Sequence, residues 1–246
     1  MNKLIKLLAS NRRQAKPCAL ETNGTESTLY LYDAIVGDDL TAEYFGGVSA
    51  QTIVPQIRAI KGGTLHLRIN SPGGDVFAAQ AIVAAIRDTG AKVIAHIDGY
   101  AASAATVIAT AADEIEMSDG SLYMIHCAWS MAMGNASDMR ESADLLDKVD
   151  GVIASQYAKK TGKSTDEIMA LMAAETWFDA AEAVAAGLVD RITTEPKTAT
   201  AAWDLSMYAK APPSEPKPEP PTDAIPPEHR ARQQQRLKLA NHATHQ

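Results

Sequence analysis

Between Leu29 and Ile192, short apolar runs rich in Val, Ile and Leu alternate with stretches of helical periodicity, and small-residue turns separate the two kinds of segment. That alternation allows few architectures, because a strand followed by a helix and another strand packs as a right-handed parallel unit. The pattern predicts a strand at Leu29–Ile35, a helix over Thr41–Ile60 ended by Gly62-Gly63, and a strand at Thr64–Asn70. After the turn Ser71-Pro72-Gly73-Gly74-Asp75 it predicts a helix over Val76–Thr89, a strand at Lys92–Ile97, and a turn and helix at Ser103. Strands follow at Glu114–Met117 and Ser121–His126, then a charged helix over Ser137–Lys160 and a capping box at Ser164–Glu167. A last helix, Ala180–Ala186, stops at Gly187 ahead of a strand at Leu188–Ile192. The expected class is α/β with a mostly parallel sheet flanked by helices.

The remaining chain is organised differently. Pro212-Pro213 and the Pro/Glu/Lys run that follows form neither helix nor sheet ladders, so an extended, solvated, largely disordered tail is expected over 196–246, with a short polar helix near Glu228–His242. Residues 1–28 are expected to be an N-terminal extension whose first residues form a short amphipathic helix, and 29–195 the folded domain. A formal net charge of −7 argues against nucleic acid as a partner, since phosphate binding needs a basic surface. No run is apolar and long enough for a membrane span or signal peptide, so no membrane partner is expected. The two cysteines, Cys18 and Cys127, imply no disulfide framework and fit a reducing cytoplasm.

Ser103 sits in the small-residue run Gly99-Tyr100-Ala101-Ala102-Ser103-Ala104-Ala105, just past a buried strand. Serine in such a turn is ordinarily an N-cap or a packing residue. As a nucleophile it would need a base, an orienting carboxylate and N–H donors for an oxyanion. Of six histidines, His126 is the best placed, ending a strand ahead of a loop. His66 and His96 lie inside strands, and His229, His242 and His245 lie in the tail. Gly73-Gly74 lets backbone approach a ligand closely. Glu175, in Ala174-Glu175-Thr176-Trp177-Phe178, passes by itself for an ordinary acidic residue between helices. Neither the histidines nor the cysteines have metal-ligand spacing, and no phosphate-binding G-x-x-x-x-G-K-[ST] run occurs, so neither metal nor cofactor is expected.

Taken in order, Ile69-Asn70-Ser71-Pro72-Gly73-Gly74, Gly99-Tyr100-Ala101-Ala102-Ser103, Met124-Ile125-His126 and Glu182-Ala183-Val184-Ala185-Ala186-Gly187-Leu188-Val189-Asp190 resemble the ClpP family of serine peptidases. The resemblance implies the spiral strand-helix fold shared with crotonases and an acyl-enzyme mechanism. Ser103 is then the nucleophile, His126 the general base, and the N–H groups of Gly74 and Ala104 the oxyanion donors. The third triad position carries Glu175 where the family usually has Asp; nearby Asp179 reads better as a helix N-cap. The resemblance also implies polypeptide substrates, a homo-oligomeric ring and a separate ATPase.

The appended terminal segments and the Glu-Thr-Trp run look more like the ClpP-related head maturation proteases of tailed phages, with scaffold and capsid proteins as substrates in a host cytoplasm or prohead. Two other readings remain open at this point: a crotonase-like acyl-CoA enzyme, and a non-catalytic ClpP-like assembly protein.

Overall fold

A computed structural model of the chain describes residues 3–11, 20–193 and 203–212. Cys18, the proline run from 213 onward, the expected helix at Glu228–His242 and the three tail histidines lie outside them.

Helix α1 (Lys3–Ser10) buries Leu7 and Leu8. An antiparallel hairpin follows, β1 (Leu20–Asn23) and β2 (Glu26–Leu31). Next come β3 (Ile35–Val36), α2 (Asp39–Phe45), β4 (Val48–Ser49) and α3 (Ala50–Ala59). The central units are β5 (Thr64–Ser71), α4 (Val76–Asp88), β6 (Lys92–Ala102), α5 (Ala104–Ala109) and β7 (Glu114–Ser118). The rest comprises β8 (Leu122–Ile125), α6 (Ala136–Thr161), α7 (Thr165–Ala173), β9 (Thr176–Phe178), α8 (Ala180–Ala185) and β10 (Arg191–Thr193).

The main sheet runs β1-β2-β5-β6-β7-β10, parallel except for the hairpin, with β8 also on β6 and β9 antiparallel on β8. This is the mostly parallel α/β arrangement that the alternation predicts. Leu65, Leu67 and Ile69 of β5 and Val93, Ala95 and Ile97 of β6 are buried, and α4 covers them with Ala78, Ala79, Ile82, Val83 and Ile86. Small alanines let α5, all six of whose residues are buried, sit close against the sheet.

The forked pairing of β6 shapes the functional end of the molecule. Its first half, Ile94–Ile97, pairs with β7, and its second half, Tyr100–Ala102, pairs with β8. On its other side the register to β5 shifts between Ile69 and Ser71. A register shift bends and twists the strand locally. The strand expected to end at Ile97 therefore continues to Ala102 and delivers Ser103 at its tip.

Other boundaries differ for identifiable reasons. The single helix expected over Thr41–Ile60 is two helices, because Gly46 and Gly47 take positive φ and a Cβ on Gly47 would lie 2.8 Å from the Ala34 carbonyl oxygen. The sheet starts at Leu20 rather than Leu29, since the polar run Glu21–Ser27 folds as an edge hairpin around Gly24. Residues 203–212, assigned from composition to the tail, lie within the same compact unit as the sheet, with Trp203, Leu205, Met207 and Tyr208 buried. No described helix is long and apolar enough to cross a membrane.

Candidate active site

Ser103 links the tip of β6 to α5 with φ 55° and ψ −123°, a conformation that favours glycine. Among the described residues only Ser103 and Glu175 are non-glycines with positive φ. Such strain costs about 1–3 kcal/mol and needs surrounding structure to hold it. Here the Ser103 N–H donates to the Met124 carbonyl (2.9 Å), and the Thr106 hydroxyl donates to the Ser103 carbonyl (2.5 Å). Tyr157 of α6 is within 2.5 Å of that same threonine oxygen. The Ser103 hydroxyl caps no N–H of α5. It lies instead 2.7 Å from Nε2 of His126.

His126 follows the last residue of β8, and β9 runs antiparallel alongside with Ile125 opposite Thr176. That register sets Glu175 next to His126. Burial pulls the His126 pKa down to about 4; the Glu175 charge works against this, and Lys3 of α1 adds to it. Glu175 acts on the ring through its charge, with no hydrogen bond joining the two. Its carboxylate accepts the backbone N–H of Lys210 (2.6 Å) and Ala209 (2.9 Å), and the Trp177 indole N–H at 3.4 Å. Asp179 is the N-cap of α8 and accepts the Glu182 N–H at 2.8 Å.

The Ser71–Asp75 loop approaches Ser103 from β5. The Ile35 N–H donates to the Gly73 carbonyl and the Asp75 N–H to the Ile35 carbonyl, both at 2.9 Å, so the intervening Gly74 N–H is left out of that bridge. A Cβ on Gly74 would stand 2.1 Å from the Ile35 oxygen, and one on Gly73 would stand 2.8 Å from the Ser103 Cβ. Both glycines are therefore required by close approach, and both have positive φ. Ala104 opens α5, where the first N–H groups have no intrahelical acceptor. Gly74, Ser103, Ala104 and His126 border one cleft of about 240 Å³, also lined by Val107, Leu146, Val149, Ile153 and Tyr157.

The other described histidines lie apart from the cleft. His66 and His96 face each other across β5 and β6 (2.9 Å) and are flanked by Glu26 and Glu116. Cys127 is a half-buried free thiol. Among the described residues no cluster of His, Cys, Asp and Glu is arranged to hold a metal.

Sequence reasoning missed Tyr208. Its ring stands edge-on to His126 (5.3 Å between centroids), and its hydroxyl donates to the Pro72 carbonyl at 2.6 Å. The available signal was the apolar spacing Trp203, Leu205, Met207, Tyr208 just before the proline run, which a wholly solvated tail would not contain.

Comparison with known proteins finds relatives over much of the chain. The chain is 30% identical over 167 residues to the ATP-dependent Clp protease proteolytic subunit 2 of Pseudomonas aeruginosa, covering 63% of this chain and 81% of that protein. It is also 30% identical over 133 residues to the subunit 2 of Tropheryma whipplei, covering 53% and 74%. A ClpP1 point mutant from Listeria monocytogenes superposes with a TM-score of 0.56 at 23% identity, over 68% of this chain and 91% of that one, and so shares the fold. The family model described as Clp protease matches residues 35–196, a span holding the Ser71–Asp75 loop, Ser103, His126 and Glu175, and the chain belongs to that family.

Proposed function

We propose that this Clp-family chain is a serine endopeptidase in which Ser103 is the nucleophile and His126 the general base. The observation that carries the reading is the 2.7 Å contact between Ser103 Oγ and His126 Nε2, made by a serine held in a strained strand-to-helix turn. With its pKa near 4 the imidazole is neutral at pH 7, which a base must be before it can accept a proton. The serine Oγ attacks the peptide carbonyl carbon as its proton passes to Nε2, and the Gly74 and Ala104 N–H groups receive the oxyanion. Collapse of the tetrahedral intermediate breaks the C–N bond, and His126 hands its proton to the departing amine. Water then repeats the sequence on the acyl-enzyme. Glu175, the third member of the triad in this reading, supplies negative charge that stabilises the imidazolium formed in each half.

Ser103→Ala should remove both peptide cleavage and covalent labelling by a fluorophosphonate while the protein stays folded. Cleavage by that variant at the wild-type rate would overturn the assignment. An absence of labelling in the folded wild type would favour a non-catalytic assembly protein, a reading supported by the missing Glu175–His126 hydrogen bond.

Two settings for the activity are distinguishable. The names of the relatives, ATP-dependent Clp protease proteolytic subunits, support a proteolytic subunit working with a separate ATPase, and the family resemblance implies a homo-oligomeric ring. The narrower reading, a head maturation protease acting on scaffold and capsid proteins in a host cytoplasm or prohead, rests on the resemblance of the segments appended to residues 35–196 and of the Glu-Thr-Trp run to those phage proteases. Co-expression with scaffold and capsid proteins, against addition of a Clp ATPase with ATP and an unfolded substrate, separates the two by which polypeptide is cut. Sedimentation of the purified chain reads the ring.

A further inference from the structure

Three parts of the candidate site meet a single segment that lies outside the family match. Tyr208 sets its ring against His126 and its hydroxyl on the Pro72 carbonyl, and the next two backbone N–H groups, of Ala209 and Lys210, bind the Glu175 carboxylate. The segment is anchored at both ends. Upstream, the Trp203 indole N–H donates to Asn70 Oδ1 (3.0 Å), and Trp203, Leu205 and Met207 are buried with Leu7 of α1, Ala102 and Met124. Downstream, the Lys210 ammonium donates to the Ala174 carbonyl (2.5 Å). Trp177 closes on the Tyr208 ring from β9, 6.0 Å between centroids.

The segment touches the reacting groups, His126 through the Tyr208 ring and Ser103 through the Tyr208 hydroxyl, without lining the cleft. The cleft bordered by Gly74, Ser103, Ala104 and His126 has no wall residue from 203–212. A plug would line that cleft, whereas a brace would touch the same groups without doing so.

From this geometry we infer that Tyr208 is a positioning residue for the proposed peptidase chemistry, fixing the plane of the His126 imidazole with its ring and the height of the Pro72-Gly73-Gly74 loop with its hydroxyl. The inference rests on the peptidase reading and adds to it a part supplied from beyond residue 196. The two contacts have separate consequences. An edge-on ring keeps water away from the imidazole and limits its rotation, so Nε2 stays aimed at Ser103. The hydroxyl ties the carbonyl two residues before the Gly74 N–H, and an oxyanion donor displaced by a fraction of an ångström loses most of its effect. Burial holds the Tyr208 phenol well above its ordinary pKa, so the hydroxyl remains a donor throughout the working pH range. The groups that face the His126 ring are Ser103, Tyr208, Glu175 and Lys3.

The test compares wild type, Tyr208→Phe and Tyr208→Ala, all in the full chain. It reads the second-order rate of fluorophosphonate labelling across pH and the His126 titration by NMR. Tyr208→Phe keeps the ring and loses the hydroxyl's tie to Pro72 together with its interaction with the Ser103 side chain; the expected result is a roughly threefold to tenfold slower labelling rate with the acid limb unmoved. Tyr208→Ala also uncovers the imidazole; the expected result is a further loss of about tenfold at pH 7 and a His126 titration moved from near 4 toward 6.5. Should the alanine variant fail to fold, the phenylalanine variant decides alone. Labelling by either variant at or above the wild-type rate, with His126 titrating unchanged, overturns the positioning role and leaves the peptidase reading standing. A folded wild type that is never labelled removes both.

Discussion

The carboxylate of Glu175 is held by the backbone N–H of Lys210 at 2.6 Å, and it reaches the neighbouring His126 ring through its charge alone. Neutralising that charge should therefore change the base at the expense of one of the carboxylate's two backbone contacts. Glu175→Gln keeps an oxygen for the Lys210 N–H, gives up the Ala209 contact because its NH2 replaces the second oxygen, and removes the one influence that raises the His126 pKa. We expect labelling of Ser103 at pH 7 to slow by about tenfold and the acid limb to move below pH 4. Labelling rates across pH check this; a limb that stays in place would mean that Glu175 has no electrostatic hold on the imidazole.

Gly74 leaves no room for a side chain. At φ 148° a Cβ would meet the Ile35 carbonyl at 2.1 Å, and the bridge between Ile35 and the loop would have to open. Gly74→Ala should lower labelling and peptide cleavage by about 10²-fold or more through the displaced N–H, with KM much less affected. It should also destabilise the fold by about 1–3 kcal/mol. Denaturant melts read alongside kcat separate the two effects.

The places of the central strands along the chain and the identity of the turn residues were legible because they are local. Period-two burial in Thr64–Asn70, the capping boxes at Ser164 and Asp179, and Gly187 after α8 each follow from neighbours within a few residues. The extension of β6 past Ile97 was not legible, since it depends on pairing with β8, more than 20 residues further on. Ser103 and His126 could be named from their places at strand ends. The partners of Glu175 could not, because they are backbone N–H groups some 35 residues away in a stretch whose composition reads as tail. Main-chain donors leave no signature in a sequence.

The His126 ring also makes stability depend on pH. Its pKa is about 4 in the fold against an ordinary 6.5, so below 6.5 the unfolded chain takes up a proton that the folded chain refuses. Stability from this group is complete above pH 6.5 and falls as the pH drops toward 4, by at most about 1.4 kcal/mol per pH unit. His126→Gln removes that contribution. The variant's melting temperature should fall less steeply than the wild type's between pH 6.5 and 4; parallel curves would place the imidazole's pKa near its ordinary value. Labelling of wild-type Ser103 should hold nearly constant from pH 7 down to about 5 and decline below that.

The turn at Ser103 sets presentation of the hydroxyl against stability of the chain. Its φ of 55° and ψ of −123° suit glycine, and any residue with a Cβ is strained there. Ser103→Ala keeps the strain and loses the contact with His126. Ser103→Gly loses the same contact and relieves the strain, about 1–3 kcal/mol, against about 0.4–1 kcal/mol for the freer unfolded chain. The glycine variant should therefore be more stable than the alanine variant by about 1 kcal/mol, which for a domain of this size is about 2–4 °C in melting temperature. Both should be unlabelled by a fluorophosphonate. Calorimetry of the pair checks the order. Equal melting temperatures would mean that the turn is relaxed, and that the serine hydroxyl is aimed by its hydrogen bond to His126 rather than by the backbone.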